Sequence, residues 1–324
     1  VNARRAGLAV LLVAAAALPG CAIDPEPHED RVSYTEAPLP AKASPVPSDS
    51  PVPPRVDQKC GDPTASLRPN GSGSAARGPA LDAIRARGRL IVGLDTGSNL
   101  FSFRDPLSGR ITGFDADIAR EIARDLLGNP DLVEFRSLSS EEREQALINH
   151  TVDLVAKTMT ITCERRKRVA FSTVYLLAQQ RVLAMKNSGI GGIADLAGKR
   201  VCVARGTTSL DRIRQDQPAA TVLTVPTWAD CLVVLQQRQV DAVSTDDAIL
   251  AGLAAQDPYT EVVGESISAE PYGIGIPLGD DDLVRFVNGT LDRLRADGTW
   301  TRIHRRWLSS LGETPAPPAP RYQD

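Results

Sequence analysis

The strongest constraint in this sequence is an alternation that runs, stops and starts again. From about residue 80, "RLIVGLD" is a short apolar strand and "GFDADIAREIARDLLG" carries Ile118, Ile122 and Leu126 at helical spacing, with Gly128 to end it. "DLVEFRSL" reads as a strand. "SSEEREQALINH" reads as a helix opened by a Ser139/Glu142 capping box, and "VDLVAKTMTIT" as a strand with its exit loop. "QQRVLAMKN" then leads away, and "KRVCVARG", "TTSLDRIRQD", "ATVLTVP" and "WADCLVVLQQRQ" repeat the order strand, helix, strand, helix. The halves also echo each other in detail, since "ALINHTVDLVAKT" matches "VLQQRQVDAVSTD" as helix end, polar turn, Val-Asp strand and polar exit. Such alternation predicts parallel sheets covered by helices. Two α/β lobes follow, joined by two crossing strands near 179–185 and 268–277. The boundaries expected are 80–181 with 272–312 for lobe 1 and 182–271 for lobe 2.

The flanks are of another kind. Arg4 and Arg5 precede an apolar run from Ala6 to Leu18 that is short for a bilayer span, which takes about 20 residues. A charged start, a short apolar stretch and "LPGC" read as an export signal over residues 1–20. The cysteine placed directly after Gly20 resembles a bacterial lipoprotein cleavage site, so Cys21 is the expected lipidation site and bilayer anchor. Residues 21–79, with "PLPAKASPVPSDSPVPP" and "NGSGSAARG", are expected to form a solvated tether, and 313–324 a tail. An exported chain can keep disulfides. Four cysteines remain after Cys21 and permit three pairings. Cys202 on a strand and Cys231 in the helix of the next unit suit one bridge, which leaves Cys60 with Cys163 as a staple from tether to body. Net charge −3 and 4% aromatics argue against a nucleic-acid binder. The three histidines are scattered and no CxxC or HxxxH occurs, so neither a metal nor a cofactor is expected.

In α/β sheets, ligands collect at the carboxyl ends of strands. Those ends carry Asp95 and Ser98; Lys157, Thr158, Thr160 and then Arg165; Thr207 and Thr208 at a helix start; and Asp246. The set suits a free amino acid. An α-carboxylate wants a forked guanidinium with hydroxyl and N–H donors, which Arg165, Thr160 and the helix start supply. An α-ammonium wants a carboxylate, and Asp246 is expected to take it. Asp95 is a second acceptor or a partner that orients Lys157. A lysine in the cluster leaves positive charge for an acidic ligand side chain. Each residue alone has a plain structural alternative: Arg165 as one surface charge of "ERRKR", Asp246 as a helix cap.

These segments resemble the amino-acid-binding proteins of ABC importers, a periplasmic solute-binding family with a two-lobed Venus-flytrap fold. "GFDADIAREIA", "TMTITCERRKRVAFS", "DLAGKRVCVARGTTS", "VDAVSTD" and "YGIGIPLGDDDLVRFVNGTLDRLRADGTWTRIHRRWL" match in order, over roughly residues 80 to 312. The resemblance implies binding by hinge closure rather than catalysis, with a membrane permease or a membrane sensor as partner. It implies a monomer on the outer face of the cytoplasmic membrane. The lipoprotein start and the Cys202 pairing look most like actinobacterial glutamate/glutamine-type binding lipoproteins. Two departures bear on specificity. An aromatic common near Ser98 in the family is missing, and Lys157 stands where a small residue is usual. Both point to glutamate or aspartate first, glutamine or asparagine next. A cleft enzyme such as a dehydratase, with Asp95 as its acid, is the alternative from another class.

Overall fold

The computed structural model describes residues 37–54, 60–70 and 75–323; the expected export signal and the expected lipidation site Cys21 lie outside the described residues. The alternation folds into two sheets. In the first, strand Leu90–Leu94 lies between the edge strand Val133–Ser137 and Leu154–Val155 and is parallel to both. Gly275–Pro277 pairs antiparallel with Leu154–Val155, and Val169–Phe171 pairs antiparallel with Gly275–Pro277, so it runs in the same direction as the parallel strands. In the second, Thr221–Val225, Arg200–Ala204 and Ala242–Asp246 run parallel, and Leu176–Met185 and Thr260–Tyr272 add on antiparallel. The sheets are therefore mixed rather than purely parallel. The strands that run against the parallel set include Leu176–Met185, which leads out of the first lobe, and Gly275–Pro277, which follows the return to it.

Leu90–Leu94 and Ala242–Asp246 are buried at every position, as strands covered on both faces should be. Helix Phe114–Leu127 buries Ile118, Ile122 and Leu126 and ends at Gly128, whose left-handed φ of 75° spares a side chain the steric cost. The predicted capping box at Ser139 is half formed: the Ser139 N–H donates to Glu142 Oε2 at 2.7 Å, and the helix covers only Arg143–Ile148. Thr227 with Asp230 makes a complete box on helix Trp228–Gln236. Among the described residues no helix is long and apolar enough to cross a membrane.

The flanks depart from expectation. Ser44–Pro45 forms an edge strand, antiparallel to Thr221–Val225. Beyond it, Arg214 donates to the carbonyls of Ser50 and Pro51, and Gln215 to those of Pro53 and Pro54. Proline-rich backbone has few N–H groups and no internal bonds, so its carbonyls are open to side-chain donors, and an edge is where a sheet tolerates it. Residues 60–70 dock on the other lobe. Cys60 is bonded to Cys163, Arg166 donates to the carbonyls of Pro63 and Ala65, and the Asn288 amide donates to Ser66 Oγ and Leu67 O. The tail docks beside them, with Tyr322 bridged to Ser66 and its hydroxyl donating to Asp292. The two disulfides are Cys60–Cys163 and Cys202–Cys231. Low apolar content left this docking invisible in the sequence, because it runs on hydrogen bonds from distant arginines and amides.

Candidate functional site

The strand ends meet where the two sheets face each other. Segment 158–162 is sewn to the crossing strand: the Ile161 N–H donates to Pro271 O and the Gly273 N–H to Met159 O. Its first residue carries a positive φ of 40° at Thr158, uncommon for a β-branched side chain. Two buried groups hold that backbone. Asp115 accepts the Thr158 N–H at 3.1 Å, and the Arg143 guanidinium donates to the Lys157 and Thr158 carbonyls at 3.0 and 3.3 Å. Burial pushes the Asp115 carboxyl up to about 7 against the pull of the Tyr175 hydroxyl and the Thr158 amide. Burial and the neighbouring Arg165 push the Arg143 guanidinium down.

Asp95 and Lys157 lie side by side, with Lys157 Nζ 2.7 Å from Asp95 Oδ2 and both buried. Burial alone would raise the Asp95 carboxyl. The Lys157 ammonium and the Gly97 and Thr96 amides outweigh it and hold Asp95 below its ordinary value. Burial lowers Lys157, and Asp95 is the chief group opposing that. The lysine is therefore committed to a protein carboxylate and is not a free charge for a ligand. Ser98 ends the short strand Gly97–Ser98 and is nearly buried.

Arg165 is also engaged. It donates to Thr160 O at 2.7 Å and to Gly206 O at 3.2 Å, and its Nε lies 3.3 Å from Glu144. Among the described residues that uses three of its five N–H donors. Burial lowers its guanidinium, and the Glu144 and Glu270 carboxylates oppose that. Gly206 belongs to the second lobe and accepts from Arg143 as well, so two arginines of the first lobe converge on one carbonyl across the cleft. Only glycine fits there, since a Cβ would lie 2.6 Å from Glu141 Cα and φ is 74°. Asn99 makes a second cross-lobe contact, donating to Gly252 O at 3.0 Å.

On the second lobe, Thr207 caps helix Thr208–Asp216, accepting the Leu210 N–H and donating to Ala204 O, so its hydroxyl serves the fold. Asp246 sits at the N-cap position of helix Asp247–Ala254 without making a side-chain cap bond. Its Oδ2 accepts from the Tyr272 hydroxyl, and its buried Oδ1 has no partner among the described residues. Burial, then the nearby Glu270, pushes the Asp246 carboxyl well up.

Two cavities share a wall made by Thr160, Arg165, Thr207 and Thr208. The smaller, about 10 Å³, holds Asp246, Thr158, Arg143, Trp228 and Ile249. That is room for about one water, so an amino acid enters only if the lobes part. The larger, about 620 Å³, is roofed partly by Pro53, Pro54 and Pro63 and contains neither Asp246 nor Lys157. Of the two, only the smaller has Asp246 in its lining together with Arg165. The structure brings Thr158, Thr160, Arg165, Thr207, Thr208 and Asp246 to that wall, while Asp95 and Lys157 form their own pair and, with Ser98, do not line it. Sequence reasoning missed Arg143, Asp115, Trp228, Glu270 and Tyr272. The aromatic it found missing near Ser98 has a counterpart in Trp228, which reaches the cleft from the opposite lobe. Among the described residues no acidic, histidine or cysteine cluster could hold a metal ion.

The family model described as bacterial extracellular solute-binding proteins, family 3, matches residues 90–310. An ABC transporter glutamine-binding protein of Bacillus subtilis (strain 168) is 37% identical over 229 residues, 70% of this chain and 84% of that protein. A glutamine-binding protein of Geobacillus stearothermophilus is 42% identical over 196 residues, 60% of this chain and 75% of that protein. Among solved structures, an ancestral arginine-binding protein bound to glutamine superposes with a TM-score of 0.65 at 35% identity, covering 68% of this chain and 98% of that one. These relatives are named for binding and transport, not for turnover.

Proposed function

The chain belongs to the bacterial extracellular solute-binding proteins of family 3, and on that premise we propose that it captures a polar amino acid, glutamine foremost, between its lobes and delivers it to the permease of an ABC importer. The observation that carries this reading is that one cavity is lined both by Arg165, with two N–H donors uncommitted among the described residues, and by Asp246, whose Oδ1 has no partner among them. A guanidinium and a carboxylate so placed suit the two ends of a zwitterion. Closure excludes water, which strengthens both contacts.

The side-chain preference changes order. Lys157 had favoured an acidic ligand, but its ammonium is spent on Asp95. The remaining carboxylates, Asp246 and Glu270, favour an uncharged amide over a second carboxylate. The names of the relatives support the same order. A lipidated Cys21 would keep such a receptor, acting as a monomer, near its permease, and acyl-chain mass on the mature N-terminus tests that part.

The test of binding is a thermal-shift series of the purified protein against the twenty amino acids. At about 100 times its dissociation constant a ligand stabilises the native state by about 2.7 kcal/mol. Glutamine is expected to give the largest shift. A series without any shift rejects the receptor reading.

A further inference from the structure

The segment that precedes the first lobe is fastened to both lobes. On the second lobe, Ser44–Pro45 pairs with Thr221–Val225, and the Val46 N–H donates to Val222 O at 2.8 Å. Helix Thr208–Asp216 of the same lobe holds the residues that follow. Arg214 donates to Ser50 O at 3.0 Å, and Gln215 to Pro53 O at 3.0 Å and Pro54 O at 3.1 Å. Six residues after Pro54, the Cys60–Cys163 disulfide fixes the chain to the first lobe. Arg166 secures it there through Pro63 O at 2.9 Å and Ala65 O at 2.6 Å. Both anchorages line the larger cavity, which takes Pro53, Pro54 and Gln215 from one and Pro63 and Cys163 from the other.

We propose that residues 44–54 and the Cys60–Cys163 disulfide act together as a strap between the lobes, a third connection beside the two crossing strands, which limits how far the cleft opens and so favours the closed form. The length of the link is set by Arg214 and Gln215. From Pro54 to Cys60 there are six Cα steps, which reach at most about 20 Å when fully extended. Without the helix bonds, the nearest backbone bond to the second lobe is at Val46, fourteen steps from Cys60, and the reach becomes about 50 Å. Prolines at 45, 47, 51, 53 and 54 stiffen the docked stretch, so holding it costs little chain entropy. The strap acts on the lobe equilibrium and not on the ligand, since none of its residues, nor Arg214 or Gln215, lines the cavity that Arg165 and Asp246 share. Favouring the closed form raises apparent affinity by raising the fraction of molecules ready to hold a ligand.

The test cuts the strap at either end. Arg214→Ala/Gln215→Ala frees it from the second lobe and keeps the disulfide, and alanine suits the helix. Cys60→Ser/Cys163→Ser frees it from the first lobe. Electron–electron double resonance reads the interlobe distance without ligand, between nitroxides on unnatural side chains at the exposed positions Leu107 of the first lobe and Tyr259 of the second. Titration calorimetry reads the affinity for glutamine. Both variants are expected to show longer and broader distances than wild type. The Arg214→Ala/Gln215→Ala variant should bind glutamine about three- to fourfold more weakly, the loop-closure effect of lengthening the link from six steps to fourteen. Distances unchanged in this variant overturn the proposal. A change confined to the cysteine variant overturns it too, because the disulfide would then serve the first lobe alone. If the cysteine variant does not fold, the arginine–glutamine variant decides by itself. Wild type that binds no amino acid removes the receptor reading, while the ligand-free distances still decide the strap.

Discussion

Replacing Gly252 by alanine separates the energetics of folding from those of lobe closure. Gly252 lies inside helix Asp247–Ala254, where alanine is the better residue by about 1 kcal/mol. Its α-carbon faces the other lobe. A Cβ there would sit 2.6 Å from Asn99 O, whereas ordinary contact begins near 3.4 Å, so the lobes must stay about 0.8 Å further apart at this point. That displacement strains or breaks the 3.0 Å bond from Asn99 Nδ2 to Gly252 O. Overpacking typically costs about 1–3 kcal/mol and a lost hydrogen bond about 1 kcal/mol. Because some of that strain relaxes, a net penalty on the closed form of about 1–3 kcal/mol is expected, which weakens ligand binding about 5- to 150-fold. Titration calorimetry with glutamine reads the affinity, and thermal unfolding without ligand reads the fold. The expected pattern is weaker binding with an unchanged or higher Tm. Affinity within twofold of wild type would refute the reasoning, since the closed form would then tolerate the side chain.

Asp246→Asn should weaken glutamine binding about tenfold or more with no loss of Tm, because a buried carboxyl without a partner for Oδ1 is replaced by a neutral group; calorimetry and thermal unfolding check both halves. Asp115 supplies a pH test. Its carboxyl is raised from 3.8 to about 7, so the native state holds a proton that the unfolded chain releases, and its contribution to stability is present below pH 4 and lost as pH rises to 7. Urea midpoints of Asp115→Asn measured from pH 4.5 to 7.5 should therefore lack part of the decline that wild type shows. Thr158→Gly should raise the urea midpoint by an amount worth about 1 kcal/mol, because relief of a positive φ exceeds the entropy cost of glycine. Cys60→Ser opens a crosslink spanning 103 residues, against 29 for Cys202–Cys231. It should lower stability by about 4–5 kcal/mol on the chain-entropy account, more than Cys202→Ser, and differential scanning calorimetry of the two variants checks the order.

Much of the architecture was legible because it is local. The apolar spacing of Ile118, Ile122 and Leu126 and the stop at Gly128 are properties of consecutive residues, and the helix formed there. Cys202–Cys231 also closes within one lobe, 29 residues apart, whereas Cys60–Cys163 spans 103 residues and follows in the sequence only by elimination. The site was half legible. Strand ends named the right neighbourhood, but Lys157 and Asp95 cancel each other across 62 residues, and no spacing rule shows that. Arg143 was read only as part of a helix and Glu270 only as part of a strand, yet one holds the Thr158 backbone and the other takes the protons of Thr160 and Thr208.

By itself the sequence determined the two α/β lobes, their crossing strands and the kinds of side chain at the cleft, because hydrophobic period and strand-end chemistry are written in neighbouring residues. Only the tertiary structure decided which charges remain available to a ligand, that the proline-rich segment lies on the sheet edge, and that one carbonyl, Gly206 O, receives arginines from the opposite lobe. Those outcomes depend on pairing groups far apart in the chain, and the strength of each pairing is set by burial, which no single stretch of sequence contains.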